Sequence, residues 1–386
     1  MRIGLVTNNA ATTAVLPLPV TPVRQALQMA GVPLRALFSP EHGLDASAAD
    51  GDAVSDALDR LTGLPVYSLY RVAPEMVQAV GATYRPTPAM LTDLDLLLFD
   101  IPDIGARFYT YIWTLSHVME ACAEAGLPLW VLDRPNPLGG ELTQAEGPSL
   151  DEAHISTFVG RWAMPIRHSL TVGELARVWN GERQLGVDLT VVPLENWQRS
   201  QMWPALGLPF VPASPAMPSY ETALLYPGTC LFEGTNLSEG RGTSTPFRTI
   251  GAPWLDSYRV ANQFNQLQLP GVVANAVQFT PTAGKYANQL CQGVMLHPLD
   301  EQRFRPVSTG LHLLAAIMHQ NPSEFQWLPY PSAANGPGYG HFDRLIGQVA
   351  IREALQSAPS DVAKLVDQWT QSGQWAEVVQ PYLLYQ

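Results

Sequence analysis

The sequence predicts an α/β protein whose first half is a doubly wound parallel sheet. One observation supports this fold class, and a second predicts the number of domains. Short runs of aliphatic and β-branched residues alternate with segments long enough to be helices, a pattern typical of parallel strands joined by helical crossovers. The 386-residue chain also exceeds the length that one hydrophobic core usually serves, so we expect two domains or one domain with a large elaboration. We place the two domains at residues 1–200 and 201–386.

The strands of the first domain are predicted where short apolar runs end in polar or turn-forming residues, at 2–7, 34–38, 65–69, 94–99, 128–132 and 189–193. Helices are predicted between these strands, near 22–30, 109–125 and 171–180. Gly126 follows the second of these helices and suits the left-handed conformation that ends many helices.

The composition becomes Pro-rich over 204–227, which predicts an irregular crossing into the second domain. Beyond it the pattern predicts strands at 272–279 and 292–297 and helices at 255–267, 307–319 and 359–370. The Gly- and Pro-rich string at 336–340 predicts a loop that could serve as a mobile edge.

The composition of the chain disfavours nucleic acid and membranes as binding partners. The net charge of −12 disfavours nucleic acid, because an acidic surface repels phosphate backbones. The longest apolar stretch, near 94–101, contains two aspartates and is far shorter than the ~20 residues that span a bilayer, so no membrane insertion is predicted. The first strand opens the chain, which predicts a cytoplasmic protein if the chain is full length and a periplasmic or secreted one if an export signal has been removed.

Cofactor motifs are missing from the sequence. No Gly-x-Gly-x-x-Gly follows the first strand, and there is no phosphate-binding Gly-Lys-Ser/Thr loop, His-Glu-x-x-His helix or Gly-x-Ser-x-Gly elbow. We therefore predict no cofactor and no metal. The three cysteines lack metal-ligand spacing and are predicted to be buried thiols: Cys122, Cys230 and Cys291.

Polar residues follow several of the predicted strands, and ligands of open parallel sheets bind at the carboxyl ends of strands. Asn8 follows the first strand, and Glu41 and His42 follow the second. Glu41 is the sharpest candidate, since a carboxyl held directly after a buried strand can act as a general acid. The alternative is a helix cap or a loop hydrogen-bond partner. His42 is predicted to bind substrate or to be structural.

The fourth strand leads into Asp100, Asp103, Arg107 and Tyr109. The first three could form a structural ion-pair network, or one of them could have a catalytic role. Tyr109 is predicted to lean over the cleft, with Tyr111 facing elsewhere.

The fifth strand leads into a predicted Asp133–Arg134 pair, which leaves Asn136 for a ligand. In the second domain the segment 233–243 is dense in glycine and polar residues, which is typical of either an exposed turn or a ligand-binding loop. Arg241 in this segment could clamp a carboxylate.

Long ordered strings in both domains resemble one family. They lie at 38–43, which includes Pro-Glu-His-Gly, and at 63–70, 99–111, 133–140, 226–230, 233–242 and 251–254. At these segments the chain resembles the NamZ-like exo-β-N-acetylmuramidases, glycoside hydrolases of peptidoglycan recycling formerly catalogued as a domain of unknown function. The loop at 44–53 departs from the family pattern, because it lacks the Arg-Gly pair that commonly follows Glu-His-Gly.

The resemblance implies a Rossmann-like domain, a C-terminal α+β auxiliary domain and a cleft between them that takes a MurNAc-GlcNAc or muropeptide substrate. It implies removal of N-acetylmuramic acid from the non-reducing end of a β-1,4-linked glycan. The family's proposed catalytic glutamate corresponds to Glu41. Glu239 is our first choice for the second catalytic group, with Glu233, Asp100 and the acetamido oxygen of the substrate as alternatives.

The remaining roles that we infer are in substrate binding, with Arg241 or Arg107 holding the lactyl carboxylate; the full set is Asn8, His42, Asp100, Arg107, Tyr109, Arg134, Asn136, Glu233, Asn236 and Arg241. Two rival functions stay open at this point: a non-catalytic muropeptide-binding protein, and a hydrolase of a phosphorylated or acylated sugar. A nicotinamide-dependent dehydrogenase is a more distant third.

Overall fold

The structure is a computed structural model, and it describes residues 1–13, 19–49, 51–70, 84–329, 340–357 and 362–386. Except for Gly340, the predicted loop at 336–340 lies outside these residues, as does the start of the helix predicted at 359–370.

The described strands, in chain order, are β1 (Ile3–Thr7), β2 (Thr12–Thr13), β3 (Thr21–Pro22), β4 (Leu34–Ser39), β5 (Ala57–Leu58), β6 (Pro65–Ser68), β7 (Leu96–Asp100), β8 (Leu129–Leu132), β9 (Leu189–Val192), β10 (Thr249–Ala252), β11 (Val272–Phe279) and β12 (Cys291–Pro298). A seven-stranded sheet has the order β5-β6-β4-β1-β7-β8-β9. Only its edge strand β5 is antiparallel to its neighbour. The other strands follow the order of doubly wound folds, which confirms the predicted fold class.

The described helices are α1 (Val23–Met29), α2 (Pro88–Leu91), α3 (Tyr111–Ala125), α4 (Glu152–Ile155), α5 (Val172–Glu182), α6 (Tyr220–Thr229), α7 (Ser257–Gln266), α8 (Pro306–Gln320), α9 (His341–Ile346), α10 (Val349–Ser357), α11 (Val362–Trp369) and α12 (Trp375–Val379). Short 3-10 helices lie at Leu142–Gln144, Trp203–Leu206, Cys230–Gly234 and Gln380–Tyr382. Among the described residues no helix is long and apolar enough to cross a membrane.

Helices cover both faces of the parallel sheet. Val23 of α1 packs on one face with Leu5 and Leu37, while α3 and α5 pack on the other. Helix α5 begins with a reciprocal cap, in which the Thr171 side chain accepts from the Glu174 amide and Glu174 accepts from the Thr171 amide. As predicted, Gly126 follows α3 and adopts a left-handed conformation.

The second half contains an antiparallel sheet of order β10-β12-β11, with α7 against β11 and α6 against α8. Its core is continuous with that of the first half. The three cysteines are buried and free, as predicted. The boundary at residue 200 stays a prediction.

The irregular crossing predicted over 204–227 is wrong at its end, where α6 spans Tyr220–Thr229. Ser219 caps this helix by accepting from the Thr222 amide. Pro227 lies inside this helix, two residues before its end, and the Thr229 hydroxyl donates to the Leu225 carbonyl. Strand β10 and helices α9, α10 and α12 were not predicted.

Candidate active site

A cleft lies at the carboxyl ends of β4 and β7 and is closed by the second half of the chain. The first half contributes Glu41, His42, Gly51, Tyr109 and Thr110, whereas the second contributes Tyr226, Glu233, Arg241 and His341. The site therefore combines residues that are up to about three hundred positions apart in sequence. Among the described residues, no three His, Cys, Asp or Glu side chains are grouped to hold a metal ion.

Glu41 follows β4 directly and is only 8% exposed. Both of its carboxylate oxygens are held: Oε1 accepts from the Gly51 amide at 3.1 Å, and Oε2 accepts from the Thr110 hydroxyl at 2.6 Å. Both donors are uncharged groups. The Glu41 carboxyl is thus fixed in orientation at the cleft without a charged partner in either of these two contacts.

His42 stabilises the loop that brings Gly51 to Glu41. Its φ of 66° lies in the left-handed region, which is uncommon for a residue other than glycine and often marks functional sites. Its Nδ1 donates to the Ala48 carbonyl at 2.8 Å, and its own carbonyl accepts from the amides of Ser47 and Ala48. His42 also lines the cleft.

Tyr109 lines the cleft, whereas Tyr111 turns away, as predicted. The two rings pack edge to face at 5.0 Å, and Tyr109 also packs against Tyr226 at 6.0 Å. The Tyr111 hydroxyl donates to the Ala213 carbonyl. The helix α3 begins at Tyr111, so Tyr109 stands in the loop before it and not on its first turn.

A buried charge cluster forms the opposite wall of the cleft. Glu233 lies in the 3-10 helix after α6 and accepts from Arg241 Nη2 at 2.6 Å through Oε1 and from His341 Nε2 at 3.1 Å through Oε2. Burial alone would raise the pKa of Glu233, but Arg241 and His341 more than offset it and lower this pKa below its ordinary value. Glu233 therefore stays ionised.

Glu239 lies behind Arg241, outside the cleft lining. It forms ion pairs with Arg241 Nε at 3.4 Å and with Lys285 Nζ at 2.9 Å. Lys285 also donates to the carbonyls of Phe232, Glu233 and Leu237, which fixes the backbone of this wall. Glu239 thus orients Arg241.

The glycines on both sides of Arg241 are required by the backbone. Gly240 and Gly242 have φ values of 78° and 77°, and a Cβ at Gly242 would come within 2.4 Å of the Ala283 nitrogen. The guanidinium of Arg241 lies 4.8 Å from the centre of the Phe247 ring. The loop is therefore a rigid support for this arginine.

The asparagines predicted to bind substrate lie outside the cleft lining. Asn8 accepts from the Ala10 amide, and Asn136 donates to the Leu170 carbonyl. Asn236 holds the segment 324–326 through the Glu324 carbonyl and the Gln326 amide.

Asp100, Asp103 and Arg107 do not form the predicted ion-pair network with one another, because each binds other residues. Asp100 forms a bidentate pair with Arg134, at 2.7 and 2.8 Å, so the predicted Asp133–Arg134 side-chain pair is also wrong. Successive side chains after β8 point to opposite sides, and the Asp133 carboxylate faces the start of α5. Asp103 pairs with His168 at 3.0 Å. None of these residues lines the cleft.

Arg107 is fully buried, and its guanidinium donates to three backbone carbonyls. Nη1 meets the oxygens of Pro148 and Met164 at 2.8 Å each, and Nη2 meets that of Leu345 at 2.7 Å. Burial lowers the pKa of Arg107 to about 9. It therefore ties the two halves of the chain together and lies outside the cleft lining.

Sequence reasoning missed Thr110, Gly51, His341 and Lys285. Thr110 was inside a segment already singled out, but the helix was predicted to begin at residue 109, which placed Thr110 in its first turn and not before it. His341 lies 108 residues from its partner Glu233, and no local pattern connects them.

Comparison with known proteins gives one consistent result. Residues 3–221 match the N-terminal domain of the exo-β-N-acetylmuramidase NamZ, and residues 224–385 match its C-terminal domain. The chain belongs to the NamZ exo-β-N-acetylmuramidase family. It is 42% identical over 385 residues to the peptidoglycan β-N-acetylmuramidase NamZ of Bacillus subtilis, covering 100% of this chain and 87% of that protein.

Two crystal structures of DUF1343 family proteins from Bacteroides fragilis share the fold of this NamZ family member. One is 32% identical with a TM-score of 0.83, and the other is 30% identical with a TM-score of 0.75. Each comparison covers 100% of this chain and 94% of the crystallised chain.

Proposed function

We propose that this chain is an exo-β-N-acetylmuramidase in which Glu41 protonates the glycosidic oxygen as positive charge develops at the anomeric carbon. The observation that carries the proposal is the placement of Glu41 at the cleft, with each carboxylate oxygen fixed by an uncharged donor. A carboxyl group without a bound cation at these contacts can take up and return a proton. Glu233 is unsuited to this role, because Arg241 and His341 hold it ionised.

The proposed substrate is a peptidoglycan fragment, such as MurNAc-GlcNAc or a muropeptide, with N-acetylmuramic acid at its non-reducing end. The name of the Bacillus subtilis relative supports a peptidoglycan substrate. Muramic acid differs from glucosamine by a lactyl carboxylate, and Arg241 is a rigidly held cation on the cleft wall. A guanidinium can bind such a carboxylate with two hydrogen bonds. We assign Glu233 and Glu239 to positioning Arg241.

Two wider assignments rest on this activity. We propose a role in cell-wall turnover and recycling, since the released sugar is a unit of the wall polymer. The site of action is the cytoplasm if the chain is full length, and the periplasm or the exterior if an export signal has been removed. Cell fractionation with an antibody against the native protein distinguishes these locations.

The first experiment measures release from a chromogenic β-N-acetylmuramide and from the matching β-N-acetylglucosaminide, with and without chelator. We expect much faster release from the muramide than from the glucosaminide, at the same rate with chelator. Glu41→Gln should abolish turnover and preserve folding, whereas the exposed Glu124→Gln should leave turnover unchanged. Full activity of Glu41→Gln would refute the assignment. Binding without release would favour a muropeptide-binding protein, and loss of release with chelator would favour a metal-dependent hydrolase.

A further inference from the structure

A second groove lies on the other side of Arg107 from the cleft. Pro148 lines the groove and Leu345 lines the cleft, and the Arg107 guanidinium donates to the backbone carbonyls of both. The groove has a volume of about 630 Å³, within the range of small-ligand sites. It is formed by the first half of the chain together with α11, α12 and the turn between them.

We propose that this groove is a second binding site for an uncharged, N-acetylated oligosaccharide of the N-acetylglucosamine type. Tryptophan supplies its aromatic surface: Trp162, Trp179 and Trp375 are buried in its wall, and Trp369 is half-buried at its edge. Sugar rings present apolar C–H faces that pack against aromatic rings, and the indole N–H can bond a sugar oxygen. No described residue accepts a hydrogen bond from the Trp369 indole.

Trp369 is the ring best placed for stacking. The guanidinium groups of Arg161 and Arg183 lie over Trp162, at 4.6 and 4.9 Å from its ring centre, and therefore occupy ring surface that a sugar would need. Trp179 and Trp375 are each less than a tenth exposed. Trp369 is the remaining tryptophan of the groove.

Amide side chains surround Trp369. Gln368, Gln371 and Gln374 line the groove and are exposed, and their side-chain amides have no hydrogen-bond partner among the described residues. Gln348 also lines it and donates to the Ser149 carbonyl. Each amide offers two donors and an acceptor carbonyl, which match the hydroxyl and acetamido groups of an N-acetylated sugar.

The charged side chains that line the groove already have partners among the described residues. Arg183 forms an ion pair with Glu152, and Glu182 accepts from the Tyr382 hydroxyl at 2.7 Å. The arginine of the described lining is already paired and Glu182 is an acid, so the groove offers little to an anion, whereas its tryptophan and glutamine side chains suit a neutral saccharide. The lining thus differs from that of the cleft, where the charged cluster of Glu233, Arg241 and His341 forms one wall.

The second site has a clear use if the proposed function holds. An exo-acting cleft binds only the terminal sugar of a long chain, so it gains little from the rest of the polymer. A separate site that holds N-acetylglucosamine units of the wall raises the effective concentration of chain ends near the cleft. Binding in the groove therefore increases the turnover of polymeric substrate and leaves the turnover of a small chromogenic muramide unchanged.

The test titrates the full chain with the N-acetylglucosamine trimer by isothermal calorimetry. We expect one binding site, at least tenfold weaker in Trp369→Ala and in the surface variant Gln371→Ala/Gln374→Ala, which does not disturb the core. Trp130→Ala is the matched control, because Trp130 is 41% exposed and lies outside the groove. Turnover of the chromogenic muramide should be unchanged in all these variants.

Unchanged trimer binding in both groove variants, or no binding by the wild-type chain, would overturn the proposal. Displacement of the trimer by N-acetylmuramic acid would also overturn it, because it would place the trimer in the cleft. Glu41→Gln separates the two ideas, since it should lose muramide turnover and keep trimer binding. The wild-type chain could bind the trimer through Trp369 and yet show no muramide turnover. That result would support the second binding site and contradict the proposed catalytic function.

Discussion

The substitution Arg241→Gln tests how the cleft distinguishes muramic acid from glucosamine. In the native chain this guanidinium pairs with Glu233 at 2.6 Å and with Glu239 at 3.4 Å, and it lies 4.8 Å from the Phe247 ring centre. Glutamine keeps a polar side chain and removes the positive charge. Both the proposed carboxylate binding and the charge balance of the wall are therefore perturbed at once.

The expected losses follow from these contacts. A charge-assisted hydrogen bond to a substrate carboxylate contributes about 1.5–3 kcal/mol, so kcat/KM for the muramide should fall by roughly 10- to 150-fold. The glucosaminide lacks the lactyl carboxylate and should show no such loss. Breaking a buried ion pair costs about 3–5 kcal/mol of folding stability. Because His341 and Lys285 remain beside the two glutamates, we expect a loss near the lower end of this range.

The assay compares kcat/KM for both chromogenic sugars and measures the free energy of unfolding in urea. Arg24→Gln is the matched control, since Arg24 pairs with Asp59 at 3.0 Å, both side chains are less than 5% exposed, and neither lines the cleft. Both variants should lose stability, but only Arg241→Gln should lose the preference for the muramide. An unchanged ratio of the two kcat/KM values in Arg241→Gln would refute the reasoning.

Two further predictions concern single contacts. Thr110→Val removes the 2.6 Å hydrogen bond to Glu41 and should lower kcat by roughly 10- to 100-fold, whereas Thr110→Ser should keep most of it; equal kcat values for the two variants would contradict this role. Burial raises the pKa of Asp133 from 3.8 to about 6, so its ionisation destabilises the fold as pH rises through that interval. As the pH rises from 4 to 7, the free energy of unfolding of Asp133→Asn in urea should therefore increase relative to that of the wild type, by up to about 3 kcal/mol. A difference that stays constant over this range would contradict a raised pKa of Asp133.

Much of the parallel sheet can be predicted from the sequence because its strands are buried on both faces. Short continuous apolar runs such as β7 (Leu96–Asp100) are typical of strands that are buried on both faces of a parallel sheet. The position of Glu41 follows from the same reasoning, since the residue after a parallel strand lies at the ligand-binding edge of the sheet. The direction of each strand and the residue at which it ends depend on neighbouring residues, so a single sequence is enough to predict them.

The partners of charged residues could not be predicted in the same way. Neighbouring residues such as Asp133 and Arg134 looked like a pair, but alternation along the chain directs their side chains to different elements. Arg107 looked like a ligand-binding arginine, and its partners are backbone carbonyls, which carry no sequence signal. His341 reaches the cleft because α9 packs against the 3-10 helix that carries Glu233, a contact set by tertiary packing.

The three carbonyls around Arg107 have a consequence for how the enzyme is made. A guanidinium loses its water on burial, and that loss is compensated only when every replacement acceptor is present. One acceptor, the Leu345 oxygen, belongs to α9, which the ribosome adds more than two hundred residues after Arg107. During synthesis the first domain can form its sheet while this charge stays hydrated. The hydrolase therefore has its complete cleft only after α9 has been synthesised, because His341 and Leu345 of that helix line it.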